Sequence, residues 1–146
     1  MSEIEEKISV ASGISTSELM CRFRDLTFGL TYISETDAAL EPISVGAISA
    51  NSVDAVLDQF GDDRTGRNIQ EIDFDEFFDK LICKRDWYRE REIERARRFA
   101  SLKDALKENL AGLRVYRVGK VQIDIFIVGL DRNGVLMGVK TKAVET

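Results

Sequence analysis

No histidine occurs anywhere in the 146 residues. That absence removes the commonest general base, most zinc constellations and the usual nucleophilic triads, so catalysis is a poor first hypothesis and a binding protein a better one. Cysteine is scarce: Cys21 and Cys83 both fall in apolar-periodic stretches, where buried, free thiols are expected rather than a disulfide. No apolar run approaches the roughly 18 residues a membrane-spanning helix needs. The opening MSEIEEKISV is acidic and lacks the basic-then-apolar order of a signal peptide, so a cytoplasmic protein is expected. Basic charge is not in excess either, with 21 Lys and Arg against 26 Asp and Glu. A nucleic-acid binder normally shows a basic face for the phosphates. The one basic run, REREIERARR, interleaves arginine with glutamate and reads as a solvated helix face. Direct nucleic-acid binding is therefore not expected.

What is present suits one globular domain: 44% hydrophobic residues, 32% charged and a single proline. Residues 1–15 show weak periodicity and are expected to be a mobile extension, with the domain over 16–146. STSE reads as a capping box, Ser15 the N-cap and Glu18 the third helical residue. Leu19, Phe23 and Leu26 follow at helical spacing, with Gly29 as the stop. TYISETDAALEP reads as a polar loop after a short extended piece, and ISVGAIS as a strand. NSVDAVLDQFG predicts a short helix capped by Asn51 or Ser52 and stopped by Gly61. After the turn-rich DDRTGRN comes a short strand, IQEI, and then a helix opened by Asp73 and Glu76. The longest helix is predicted from Asp86 to Ala111, closed by Gly112. Alternating apolar residues in LRVYRVGK, VQIDIFIVGL and VLMGVKTKAV predict a β-meander, with Asn133-Gly134 in the last hairpin turn. Helices first and an antiparallel meander last argue for an α+β class or a layered αβα domain, not a doubly wound parallel one.

Three features invite chemistry, and each has a simpler reading. DDRTGRNIQEIDF resembles a calcium loop, yet Arg64 and Arg67 fall where a ligand and the obligatory glycine belong. Asp124 interrupts an apolar strand and reads as a solvent-facing partner of Gln122. Asp73 and Asp75 could in principle exchange protons, but at a helix start they serve the cap and the dipole. The last letters, KTKAVET, run straight out of a predicted strand and place two carboxylates and a hydroxyl on the final two residues.

FGLTYISETD, DFDEFF, DWY before a long helix, VYRVGKVQIDIFIVG and the KTKAVET ending resemble, in order and spacing, the nuclease A inhibitor family. The similarity runs from Leu19 to Thr146 and is densest from Asp86. It implies a single three-layer αβα sandwich with a mostly antiparallel sheet. It further implies an inhibitor, not an enzyme, of nonspecific magnesium-dependent endonucleases of the ββα-metal class. Such a protein carries no cofactor of its own and is expected to be monomeric when free. The resemblance also assigns contact residues. Thr146 would meet the partner's magnesium, Glu35 would meet the nuclease from the ISETD loop, and Trp87 would add a large apolar contact. Each of these has an alternative: Trp87 could be buried, Glu35 could simply organise its loop with Ser34 and Thr36, and Thr146 could be an idle end. Where the family pattern has a glutamine that contacts the nuclease, this chain has Arg85. Arginine cannot accept a hydrogen bond and brings positive charge towards a basic cleft. That departure keeps open a second reading, an interaction domain of the same fold with a different partner.

Overall fold

The computed structural model describes residues 15–47, 51–60, 68–83 and 86–145. Of the expectations above, those for residues 1–14, the end of the ISVGAIS strand (48–49), the Gly61 stop, the DDRTGRN loop up to residue 67, Arg85 and Thr146 lie outside these. The first helix, α1 (Thr16–Thr27), starts as the capping box requires. Ser15 Oγ accepts from the Glu18 N–H at 3.1 Å, and Glu18 Oε1 accepts from the Ser15 N–H at 3.1 Å. Leu19, Phe23 and Thr27 recur every four residues and are its buried stripe. Cys21 lies on the opposite side of that stripe and Cys83 just past the end of α3 (Phe74–Ile82), so both thiols are exposed, although neither is in a disulfide. The apolar neighbours in sequence had suggested burial; helical phase decides otherwise. Ser52 Oγ accepts from the Ala55 N–H and caps α2 (Val53–Phe60). Asp73 does the same for α3 through the Glu76 N–H.

The long helix, α4 (Glu90–Asn109), is shorter at both ends than the predicted span. No Ser, Thr or Asn precedes it. Instead Glu92 Oε1 reaches back to the Arg89 N–H at 2.9 Å, fixing the start at Glu90 and leaving Trp87 in a turn ahead of it. At the other end Leu110 turns extended and Ala111 already pairs with Leu130. Gly112 therefore belongs to a strand, where the register shifts, and does not close the helix.

Residues 31–39 form a hairpin of β1 (Thr31–Ile33) and β2 (Asp37–Ala39), where the sequence had suggested mostly loop. Asp and Ala are poor strand formers, so this pairing is imposed from outside. Thr141 Oγ1 donates to the Ala38 and Ala39 carbonyls and docks the hairpin on the main sheet. That sheet is antiparallel, in the order β3-β7-β6-β5-β4, built from β3 (Glu41–Gly46), β4 (Ile69–Ile72), β5 (Ala111–Val118), β6 (Gln122–Leu130) and β7 (Leu136–Val144). The chain is thus an α+β protein. Helices flank both faces. Ile123, Ile125, Ile127 and Val139 pack with Phe23, Phe78, Phe99 and Leu106 from α1, α3 and α4. Alternate residues Tyr116, Phe126, Val128 and Leu136 pack with Val56 and Leu57 of α2. Period-two alternation with both phases apolar gives a sheet covered on its two sides.

Side chains with few alternatives fix the joints. Asn51 Nδ2 donates to the Gly112 carbonyl at 2.8 Å and the Val128 carbonyl at 3.0 Å, while its Oδ1 accepts from Tyr116 Oη at 3.0 Å. Those three bonds tie the start of α2 to the sheet. Asp131, 7% exposed, closes the β6–β7 turn by accepting from the Asn133 and Val135 N–H groups. Gly134 completes that turn at φ 77, a conformation that favours glycine. Lys103 and Lys107 of α4 pair with Asp75 at 3.4 and 2.9 Å, bracing α3 against α4.

Candidate functional site

The tip of the β1–β2 hairpin, Ser34-Glu35-Thr36, lies against the end of β7. Ser34 Oγ accepts from the Val144 N–H at 3.0 Å, and the Glu35 N–H donates to the Val144 carbonyl at 3.2 Å. Within the tip, the Ser34 N–H donates to the Thr36 carbonyl at 2.9 Å and Ser34 Oγ donates to it at 3.1 Å. Ser34 and Thr36 therefore organise the loop, together with the backbone of Glu35, and the Glu35 side chain stands exposed. The strand leading to Thr146 and the acidic tip are one unit, though more than a hundred residues separate them in sequence.

Beyond Val144 the chain remains anchored. The Glu145 N–H donates to the Val121 carbonyl at 2.9 Å. Its carboxylate lies 2.7 Å from Arg117 Nη2. The Arg117 guanidinium also lies near Tyr32, the residue before Ile33 in β1. Burial holds the Tyr32 phenol above its ordinary range, and the adjacent guanidinium opposes that shift. Its ring lies stacked on Phe77, centroids 5.9 Å apart, which seats the hairpin on α3.

The third component is the turn before α4. Trp87 is 71% exposed, its indole edge-on to Tyr88 at 4.7 Å between centroids. Tyr88 in turn shares a shallow cleft with Ile33, Leu81, Arg95 and Phe99. Ile33, itself 44% exposed, thus links the Trp87 turn to the hairpin tip two residues further on. An exposed tryptophan contributes nothing to the core, and large apolar rings open to solvent are the type that anchor protein interfaces. Of the residues singled out in the sequence, Glu35 lies beside the end of β7, and Trp87 precedes Tyr88, which shares the cleft with Ile33 of the same hairpin.

Asp124 is elsewhere. It is half-buried, cross-strand from Lys142 and Val118, in a groove shared with Glu41, Phe126 and Lys140. Among the described residues no three Cys, Asp or Glu side chains gather closely enough to hold a metal ion. No helix among them is long and apolar enough to cross a membrane.

Ser34, Tyr32, Arg117 and Glu145 are the residues that sequence reasoning left without a defined contact. Ser34 had stood only as a possible loop organiser; the sequence held no signal for its bond to Val144. The other three act across strand pairings, which no local spacing encodes.

A model of the nuclease A inhibitor-like protein family matches residues 17–146. The chain belongs to that family. No curated protein matches it. Membership in a nuclease A inhibitor-like family supports a role in inhibiting a nuclease. For such a protein the relevant property of this end is what it offers a partner. It offers an acidic tip with a fixed backbone beside a strand ordered up to Glu145, while the exposed Trp87 ring lies in the turn before α4.

Proposed function

We propose that this nuclease A inhibitor-like protein blocks a nonspecific, magnesium-dependent endonuclease of the ββα-metal class by occluding its active site. The observation that carries the reading is the pair of hydrogen bonds from the hairpin tip to Val144, which place Glu35 beside the end of β7. Thr146, the last residue of the sequence, then follows two residues after Val144. Magnesium takes hard oxygen ligands and in nuclease sites keeps positions open for phosphate oxygens. The carboxylate or hydroxyl of Thr146 would occupy such a position, and the metal belongs to the partner. Glu35 stands in for a phosphate towards an arginine of the nuclease. Trp87 supplies the apolar anchor. A chain with net charge −5 is drawn towards a cleft that is basic because its substrate is not. No cofactor, nucleic-acid contact or membrane enters this mechanism. A cytoplasmic monomer, with its binding end uncovered when free, suits it.

The test is a plasmid-cleavage titration with a purified ββα-metal nuclease, using the intact chain and a chain lacking Thr146, both untagged at the C-terminus. Stoichiometric inhibition that disappears with the last residue is the expected result. A folded protein that inhibits in neither form points to the second reading, which Arg85 motivates: the same fold serving another protein partner.

A further inference from the structure

A terminal strand usually frays over its last residues. Here the residue after β7 is held at two points, by the Glu145 N–H on the Val121 carbonyl and by the Glu145 carboxylate on Arg117. Arg117 is the unusual member. It comes from β5, two strands away from β7 in the sheet, and its side chain is only 16% exposed against 49% for Glu145. It is thus fixed by its surroundings, with Tyr32 beside it and the stack of Tyr32 on Phe77 behind. Charges in such a half-shielded position attract more strongly than fully solvated ones.

We propose that Arg117 is a positioning residue for inhibition: from its half-shielded place beside Tyr32 it clamps Glu145 and so holds the residue to which Thr146 is attached. The inference rests on the inhibitory reading above, in which that residue enters the partner's active site. It assigns to β5 an indirect part in binding, through Arg117. The physical reason is pre-organisation. Ordering one backbone residue during binding costs an amount equivalent to about a tenfold loss of affinity. A residue already ordered by Arg117 carries that cost in the folded state, before the nuclease arrives.

The experiment compares the full chain with Arg117→Met, Glu145→Gln, the double variant and the Thr146 deletion. It reads the inhibition constant against a magnesium-dependent nonspecific endonuclease, the hydrogen-exchange rate of the Glu145 amide and the melting temperature. Arg117→Met is expected to raise the inhibition constant about tenfold and to speed exchange at Glu145. Adding Glu145→Gln to it should change nothing further, because both act through one contact. Should Arg117→Met fail to fold, Glu145→Gln tests the same clamp from its exposed end. Wild-type inhibition by Arg117→Met, with inhibition abolished by the Thr146 deletion, overturns the clamp and leaves the inhibitory reading standing. A full chain that inhibits nothing overturns that reading instead. Exchange at Glu145 then judges the clamp alone, and an unchanged rate in Arg117→Met overturns it.

Discussion

Trp87 and Phe28 are the most exposed large apolar side chains among the described residues, at 71% and 80%, and they illustrate how differently two such residues can be held. Phe28 ends α1, where Arg98 of α4 donates to the Leu26 and Phe28 carbonyls, so its backbone is fastened by a helix joint. Trp87 sits in a turn and its ring meets Tyr88. Replacing it removes little folded-state packing, so the melting temperature of Trp87→Ala should stay within about 1 °C of the parent. Inhibition of the nuclease should weaken by about 2 kcal/mol, roughly thirtyfold, if the ring fills a partner pocket. A thermal melt beside a cleavage titration separates the two effects, and a stable variant of unchanged potency removes Trp87 from the interface. At this scale the sequence was partly readable. Ser15 and Asp73 announce their capping roles because a cap is a local pattern. Trp87 left burial and exposure equally open: the sequence reading placed it inside the long helix, whereas that helix starts only at Glu90 and leaves Trp87 in the turn before it. The Glu145–Arg117 contact joins residues whose sequence neighbourhoods say nothing of each other.

Among the elements, α2 is the most lightly attached: it packs on its own face of the sheet, away from the other three helices. Asn51 accounts for much of its placement through bonds to two strand carbonyls and the Tyr116 hydroxyl. Asn51→Ala leaves all three of those groups without this partner, Tyr116 being 3% exposed, and should cost about 2 kcal/mol. Urea denaturation would register it as a lower midpoint with the slope retained. A loss below about 0.5 kcal/mol would mean that water replaces the amide. The meander β5–β6–β7 was the most legible part of the fold, since alternation and an Asn-Gly turn are strong short-range signals. The β1–β2 hairpin was the least. Its second strand has no strand propensity and exists because Thr141 and the end of β7 hold it, a condition a local reading does not see.

For the whole molecule, the net charge of −5 governs approach to a partner more than strength of attachment. Association with a basic cleft should slow about tenfold between 0.05 and 0.5 M salt, with a smaller change in dissociation. Stopped-flow mixing at a series of ionic strengths checks this; a flat association rate would remove steering from the account. The sheet order carries a consequence in time. β5, β6 and β7 are joined by short turns and can pair early, whereas β3 must bring Glu41 to Lys140, about a hundred residues along the chain, at a closure cost of roughly 4 kcal/mol. The hairpin bearing Glu35 precedes β3 directly and depends on β7 for its own pairing, so both are expected to arrive in the last step of assembly. A half-assembled chain then has a nearly complete meander but no binding end. Capacity to silence a nuclease would thus appear only when assembly finishes, and partly built molecules in a cell would not compete for the target.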